Sequence, residues 1–340
     1  MPKVLIVISS DIYVRNYLTT DALSALENQF ECHFLADEGI SLKKMLEDKP
    51  GFQGFYSIDD SLQKKHRLLF NIMMWRHRKK SRTFLYRWMR NSHWYLVDRS
   101  HGVFRYISSI LRWFLSASRN PEGLIVPLLG NRVFFPFTSR ILQRQIPIND
   151  DLQSRISQES YDLVIFPSAA FDAASVDIAR VCEQLGTPSL CLIDNWDNLS
   201  SKTVFWARPT HLGVWGPQAR EQAIRIHGFE HDQIHEIGTP RFDQYFSARS
   251  KPTDPIYEFP YVLFVGSAMP FDEISALHKI ENFILRSTTL PSDLHVVYRP
   301  HPWQQKRKVT SAFSCDQFSK VVLDRQIEHA QKRVDGRSES

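Results

Sequence analysis

Residues 4–8 (VLIVI) are an unbroken aliphatic run, followed by the polar Ser9, Ser10 and Asp11 and then by Tyr17, Leu18, Ala22 and Leu26 at helical spacing. That order predicts a strand, a loop and a helix, and residues 32–36 supply a second short strand, so the chain opens as a βαβ unit of a parallel sheet. The pattern lapses from Asp48 to about Asp150 and returns at 163–166 (LVIF), an apolar strand that ends at Pro167 and Ser168. A helix over 173–185, stopped by Gly186 and Pro188, leads to a strand at 189–193. A strand at 212–214, a helix at 218–226 and a strand at 234–237 complete the series, closed by Gly238, Thr239 and Pro240.

Residues 247–258 (SARSKPTDPIYE) are polar and hold two prolines, the composition of an interdomain linker. Beyond them the pattern predicts a strand at 261–265, a helix at 271–286 and a strand at 294–298 that runs into Arg299, Pro300, His301 and Pro302. The expected fold class is therefore α/β, with two doubly wound domains at 1–246 and 259–327, the second short or incomplete. Ligands are expected at the carboxyl ends of the strands and in the cleft between domains. Residues 328–340 are charged and poor in apolar side chains, and are expected to be disordered.

The 340 residues are 43% hydrophobic, ample for buried cores, and the formal net charge of +5 is too mild to argue for a nucleic-acid partner. Its distribution matters more. Residues 61–121 hold fourteen Lys/Arg against one acid, Asp98, a local +13 that leaves −8 elsewhere. These cations interleave with Phe70, Met73, Met74, Trp75, Phe84 and Trp88. A basic helical insertion at about 60–120 is therefore expected to meet an anionic membrane surface through Trp75, Arg76, Arg78, Lys79 and Lys80. RNA uses the same residue types, and a solvated helical face is the plain structural alternative. No apolar run approaches the roughly eighteen residues of a membrane span, and residues 4–8 are too short for a signal peptide. Cys32, Cys182, Cys191 and Cys315 form no CxxC pair, which disfavours a zinc ribbon or a disulfide framework and suggests a cytoplasmic setting.

No GxGxxG, no GxxxxGK[ST] and no DxD occurs, so a nicotinamide fingerprint, a P-loop and a DxD metal clamp all lack support; no cofactor and no metal are expected. His227, His231 and His235 recur every fourth residue, but Gly228 breaks the helix that would align them as ligands. More informative is the cluster Asp194, Asn195, Trp196, Asp197, Asn198, Leu199, Ser200, Ser201 and Lys202 at the carboxyl end of an apolar strand. Its carboxylates Asp197 and Asp194 are candidate bases for an attacking hydroxyl, and Asn195, Asn198, Ser200, Ser201 and Lys202 are candidate contacts to a polyhydroxylated acceptor. An Asx-rich helix cap is the competing structural reading. At the end of strand 294–298, two prolines fix the backbone around His301, and Arg299 with His301 suits a phosphate leaving group. Gly266 and Ser267 close another strand and offer amides to phosphate. The segment from Gly238 through Thr239, Pro240, Arg241 and Phe242 to Asp243 reads as a structural junction.

Taken together, the opening segment with Tyr13, Val14, Arg15, Asn16, Tyr17 and Leu18, the WDNLSSK loop, the VWG strand end, the IGTPRFD segment and the RPHP tetrapeptide resemble GT-B-fold glycosyltransferases of surface-polysaccharide synthesis. The His-Pro pair is similar to that of bacterial sialyltransferases and of CDP-glycerol glycerophosphotransferases. The resemblance extends over residues 1–325 and implies two Rossmann-like domains. It implies a nucleotide-sugar or CDP-polyol donor held by the C-terminal domain through Arg299 and His301, a glycan or lipid-linked acceptor held by the N-terminal domain, a base at Asp197 or Asp194, and no obligatory metal. Such enzymes continue past the RPHP strand with further βα units, a departure that leaves two alternatives: a non-catalytic protein that binds glycan, lipid or a partner chain, and a sugar-nucleotide epimerase of the same fold.

Overall fold

The computed structural model describes residues 1–91, 97, 102–117, 122–170, 172–248, 255–267, 271–301 and 313–324. Half of the expected linker (249–254), the tail 328–340 and Pro302 lie outside the described residues. The chain divides into two compact units, Met1–Ser250 and Lys251–Ser340, the boundary falling inside the segment read as a linker.

In the first unit, β1 (Lys3–Ile8), β2 (Glu31–Asp37), β3 (Phe52–Tyr56), β4 (Leu163–Ser168), β5 (Ser189–Ile193), β6 (His211–Val214) and β7 (Ile234–Glu236) build one sheet in the order β3-β2-β1-β4-β5-β6-β7. Every pairing is parallel. Parallel strands are covered on both faces, and β1 shows why its run is apolar without alternation. Val4, Ile6 and Ile8 enter one core with Tyr13, Tyr17 and Phe34, while Leu5 and Val7 enter the opposite core with Val164, Phe166 and Ile178. Strand order reverses between β1 and β4, the switch point at which such sheets open a crevice. The Ala173–Leu185 helix forms as expected: Asp172 accepts from the Ser175 amide at 2.7 Å, and Gly186 ends the helix at φ 70°.

Two stretches differ from expectation. The single helix through Tyr17 and Leu26 is broken into a π-helical turn, Val14–Leu18, and short turns at Asp21–Leu23 and Ser24–Glu27. Thr19 and Thr20 cause the break, because their hydroxyls bond back to the carbonyls of Arg15 (2.5 Å) and Asn16 (3.0 Å). The featureless region from Asp48 to Asp150 contains β3, an edge strand in which only Tyr56 is buried, and the helices Asp60–His77, Arg82–Asn91, Gly102–Ala117, Glu122–Leu129 and Phe135–Gln145.

Asp60–His77 is the pillar of this insertion. Leu69, Phe70, Met73 and Met74 pack with Phe84 against Ile146, Val204 and Ile226. Phe70, Met73 and Met74 on this helix and Phe84 on the next, which interleave with the basic residues of the expected membrane face, are therefore core residues: the apolar face of Asp60–His77 is consumed by the layer that covers the sheet. Lys80, expected at a membrane, is exposed, and its ammonium donates to the Ile226 carbonyl at 3.0 Å.

The second unit is a three-stranded parallel sheet, order β10-β9-β8, from β8 (Tyr261–Val265), β9 (His295–Arg299) and β10 (Val321–Leu323). The helix Glu273–Arg286 packs on it through Leu277 and Ile284, against Leu294, Val296, Tyr298 and Val321. The molecule is thus α/β, with two Rossmann-like units of parallel sheet, the second the smaller, and a helical insertion in the first. Strand β10 is not among the expected elements.

Candidate functional site

At the carboxyl edge of the first sheet, the loop after β5 meets the turn after β1 across the switch point. The buried Asn16 donates from Nδ2 to Asp194 Oδ1 at 2.8 Å, bridging 178 residues of chain. Arg15 Nε donates to Asn16 Oδ1 at 3.3 Å, which fixes the sense of that amide. Burial raises the Asp194 carboxyl above its ordinary value, against the opposing pull of the Asn16 hydrogen bond and of the Arg241, Arg15 and Lys202 charges. A carboxylate raised by burial yet held by a neutral donor is suited to accept a proton from a hydroxyl. The end of β4 completes the crevice. Ala170 is held at φ 55°, left-handed for a residue with a side chain, by the Ser168 hydroxyl 2.7 Å from its amide. The Ala169 amide donates to the Tyr13 hydroxyl at 2.8 Å.

Asp197 has a different role. Lys202 Nζ lies 3.1 Å from its carboxylate, the Ser201 hydroxyl donates to Oδ2 at 3.2 Å, and the Ser200 and Ser201 hydroxyls both donate to its carbonyl. The expected acceptor contacts Ser200, Ser201 and Lys202 are thus engaged in folding the Asn198–Ser201 turn around Asp197. Asn198 is 1% exposed and its carbonyl accepts from the amides of Lys202 and Thr203, so it is a structural residue and not placed to meet an acceptor. Asn195 accepts from the Trp196 amide at 3.1 Å, and Trp196 itself is 56% exposed.

Three residues of this site are not among those the sequence singles out for chemistry: Arg15 and Asn16, which enter only through the resemblance, and Arg241, which reads as part of a structural junction. The signal was present, because all three lie on short helical turns that follow the carboxyl ends of strands, β1 for the first two and β7 for the third. Thr239 accepts from the Arg241 amide at 3.3 Å, capping the Pro240–Phe242 turn that carries the guanidinium. The histidines at 227, 231 and 235 do not converge. His227 Nε2 bonds the Leu199 carbonyl at 2.7 Å, and His235 Nε2 lies 3.2 Å from His211 Nδ1. Glu31, His33 and Glu159 come together at the opposite, amino end of the sheet, where Lys3 Nζ lies 2.5 Å from Glu159 and 3.6 Å from Glu31.

In the second unit, Gly266 and His301 are neighbours: a Cβ at Gly266 would stand 2.9 Å from the His301 nitrogen and 2.7 Å from Glu273 Oε2. The Gly266 amide donates to the Arg299 carbonyl at 2.8 Å. The Ser267 amide, expected to meet phosphate, donates to Glu273 Oε1 at 2.6 Å, and Arg299 is ion-paired with the buried Asp324. Glu273 also accepts from the Tyr298 hydroxyl at 2.5 Å. The residues expected to hold a donor phosphate are gathered at the carboxyl ends of the neighbouring strands β8 and β9, and two of their donors already serve carboxylates.

No family model matches the chain, and no curated protein matches it. Among solved structures it is similar to a protein described as a UDP-N-acetylglucosamine 2-epimerase from Listeria monocytogenes, at 12% identity over 95% of this chain and 68% of that one, with a TM-score of 0.46. It is also similar to S. aureus MnaA in its structure with UDP (10% identity, 95% and 69% covered, TM-score 0.45). A third is MurG of Acinetobacter baumannii (11%, 95% and 65%, TM-score 0.39).

Proposed function

We propose that the protein is a GT-B-type transferase that moves a sugar or polyol phosphate from a nucleotide-activated donor to a hydroxyl of a cell-surface glycan precursor, working in the cytoplasm. The observation that carries the reading is Asp194, raised by burial, oriented by Asn16 and set among Arg15, Arg241 and Lys202 at the switch point. Asp194 takes the proton of the acceptor hydroxyl. The acceptor oxygen then forms its bond to the transferred carbon or phosphorus as the bond to the nucleotide phosphate breaks, and the nucleotide departs with the electron pair. His301 donates a hydrogen bond to the departing phosphate. Asp197 keeps the loop in shape and is not the base.

A second reading draws on a specific observation. Because Ser267 and Arg299 are engaged by Glu273 and Asp324, a glycan-binding protein that takes no donor accounts for the second unit equally well. Calorimetric titration with CMP, CDP, UDP and GDP separates the two. The transferase reading expects one nucleotide to bind, about tenfold or more weakly after His301→Ala, and unchanged after Asp194→Asn, which abolishes transfer instead. Binding by none of the four would remove the donor, and with it the transferase. Turnover of a bound nucleotide sugar with no acceptor present would move the assignment to an epimerase.

A further inference from the structure

The helical insertion turns apolar residues outward as well as inward. On the Gly102–Ala117 helix, Val103, Phe104, Ile107, Leu111 and Phe114 are 50–91% exposed. At about 100° per residue they fall within a single arc of about 100°. Ser109 and Trp113 form the buried side, with Trp113 packed near Ile110 and Leu124. Further along, Leu128 at the end of the Glu122–Leu129 helix, Val133 and Phe134 on the turn that follows, and Phe137 in the first turn of the Phe135–Gln145 helix are 49–77% exposed. Exposed apolar residues scattered singly are ordinary, whereas neighbouring ones on successive helices mark an interaction surface.

That same turn forms one wall of a cavity of about 330 Å³, lined by Trp75, Arg76, Arg78, Lys79 and Arg132 with Pro127. Among the described residues no carboxylate lines it. Arg78 is fixed there, donating to the Trp75 carbonyl at 2.8 Å with its guanidinium 4.1 Å from the centre of a Trp75 ring. Burial, and then the neighbouring Arg76 charge, lower its pKa, which is what an anion in the cavity would relieve. A cavity whose charged lining is all cationic suits, taken by itself, any phosphate, including RNA, and an apolar stripe by itself suits a protein. The two on one turn suit a boundary with phosphate on one side and hydrocarbon on the other.

We infer that this face of the insertion docks on a bilayer containing anionic phospholipid, with a headgroup phosphate in the cation-lined cavity and Leu128, Val133, Phe134 and Phe137 in the interfacial layer. The Gly102–Ala117 stripe extends the contact. The inference does not rest on the transferase reading, since vesicle binding is measured without nucleotide.

The test is co-flotation of the full chain with vesicles of phosphatidylcholine alone or of equimolar phosphatidylcholine and phosphatidylglycerol. The protein is expected on the mixed vesicles and not on phosphatidylcholine. Lys79→Ala with Arg132→Ala, both exposed, should weaken binding roughly thirtyfold. Phe134→Ser with Phe137→Ser should also weaken it at least tenfold with the charge unchanged, and circular dichroism should show both double variants folded. Equal binding to both vesicle types, or to neither, would overturn the inference. So would Phe134→Ser, Phe137→Ser protein that binds as well as wild type, or full displacement of the wild type by polyuridylate, which would mark a nucleic-acid site.

Discussion

The His227 imidazole donates to the Leu199 carbonyl, and burial depresses its pKa to about 4, helped by the charges of His77, Lys80 and Arg208. In the unfolded chain the ring titrates near the ordinary value of about 6.5. Between those two values the unfolded state binds more protons than the folded one. The contribution of His227 is therefore fully present above pH 6.5 and is lost progressively as the pH falls toward 4, by up to roughly 3 kcal/mol. Urea unfolding at pH 7 and pH 4.5 should show this loss in the wild type and a shallower one in His227→Gln; equal slopes would refute the assignment. At the same scale, Asp194 and Asp197 were indistinguishable in the sequence. Both are carboxylates on one polar loop, and only the partners brought by the fold, Asn16 for one and Lys202 with Ser201 for the other, give them different chemistry.

Among the elements, the insertion shows how far periodicity reaches. A helical repeat of apolar positions says that a face exists, but not what covers it. Asp60–His77 spends its face on the core, whereas Gly102–Ala117 leaves its face open. The two differ because the first lies directly against the layer over the sheet, and the second is carried one layer further out. The close approach of the Glu122–Leu129 helix to the pillar depends on Gly130, where a Cβ would stand 2.6 Å from Trp75 Cδ1 and 3.1 Å from the Ile72 carbonyl oxygen. Because a ring and a backbone atom cannot give way as a flexible side chain would, Gly130→Ala should destabilise the protein by about 1–3 kcal/mol in urea unfolding. A neutral result would mean that the two helices separate freely.

At the scale of the molecule, the first unit holds its own cores on both faces of a seven-stranded sheet. The second has three strands among the described residues, and in its edge strand β8 Tyr261, Val262, Leu263 and Val265 are 41–61% exposed, with Phe264 partly buried against the core. A parallel strand so exposed buries too little to hold a domain of this size firmly. A protein ending at residue 248 should therefore fold cooperatively, with near-UV circular dichroism and a sharp melting transition. Residues 251–340 alone should melt broadly. A fragment 1–248 without fixed tertiary signals would show that the first unit needs the second.

The sequence by itself determined the strands of the first sheet other than the edge strand β3, and the loop that carries Asp194. Strands buried on both faces must be continuous apolar runs, and in a parallel sheet the polar residues just after them must gather at one edge. Tertiary structure alone decided the rest. The convergence of Asn16 and Arg241 on Asp194 follows from strand order, which sets β1 between its chain neighbour β2 and the distant β4. The direction of each helical face follows from which layer it joins. Neither is encoded in any local stretch, because both are fixed by contacts between segments distant in the chain, such as the 178 residues that separate Asn16 from Asp194.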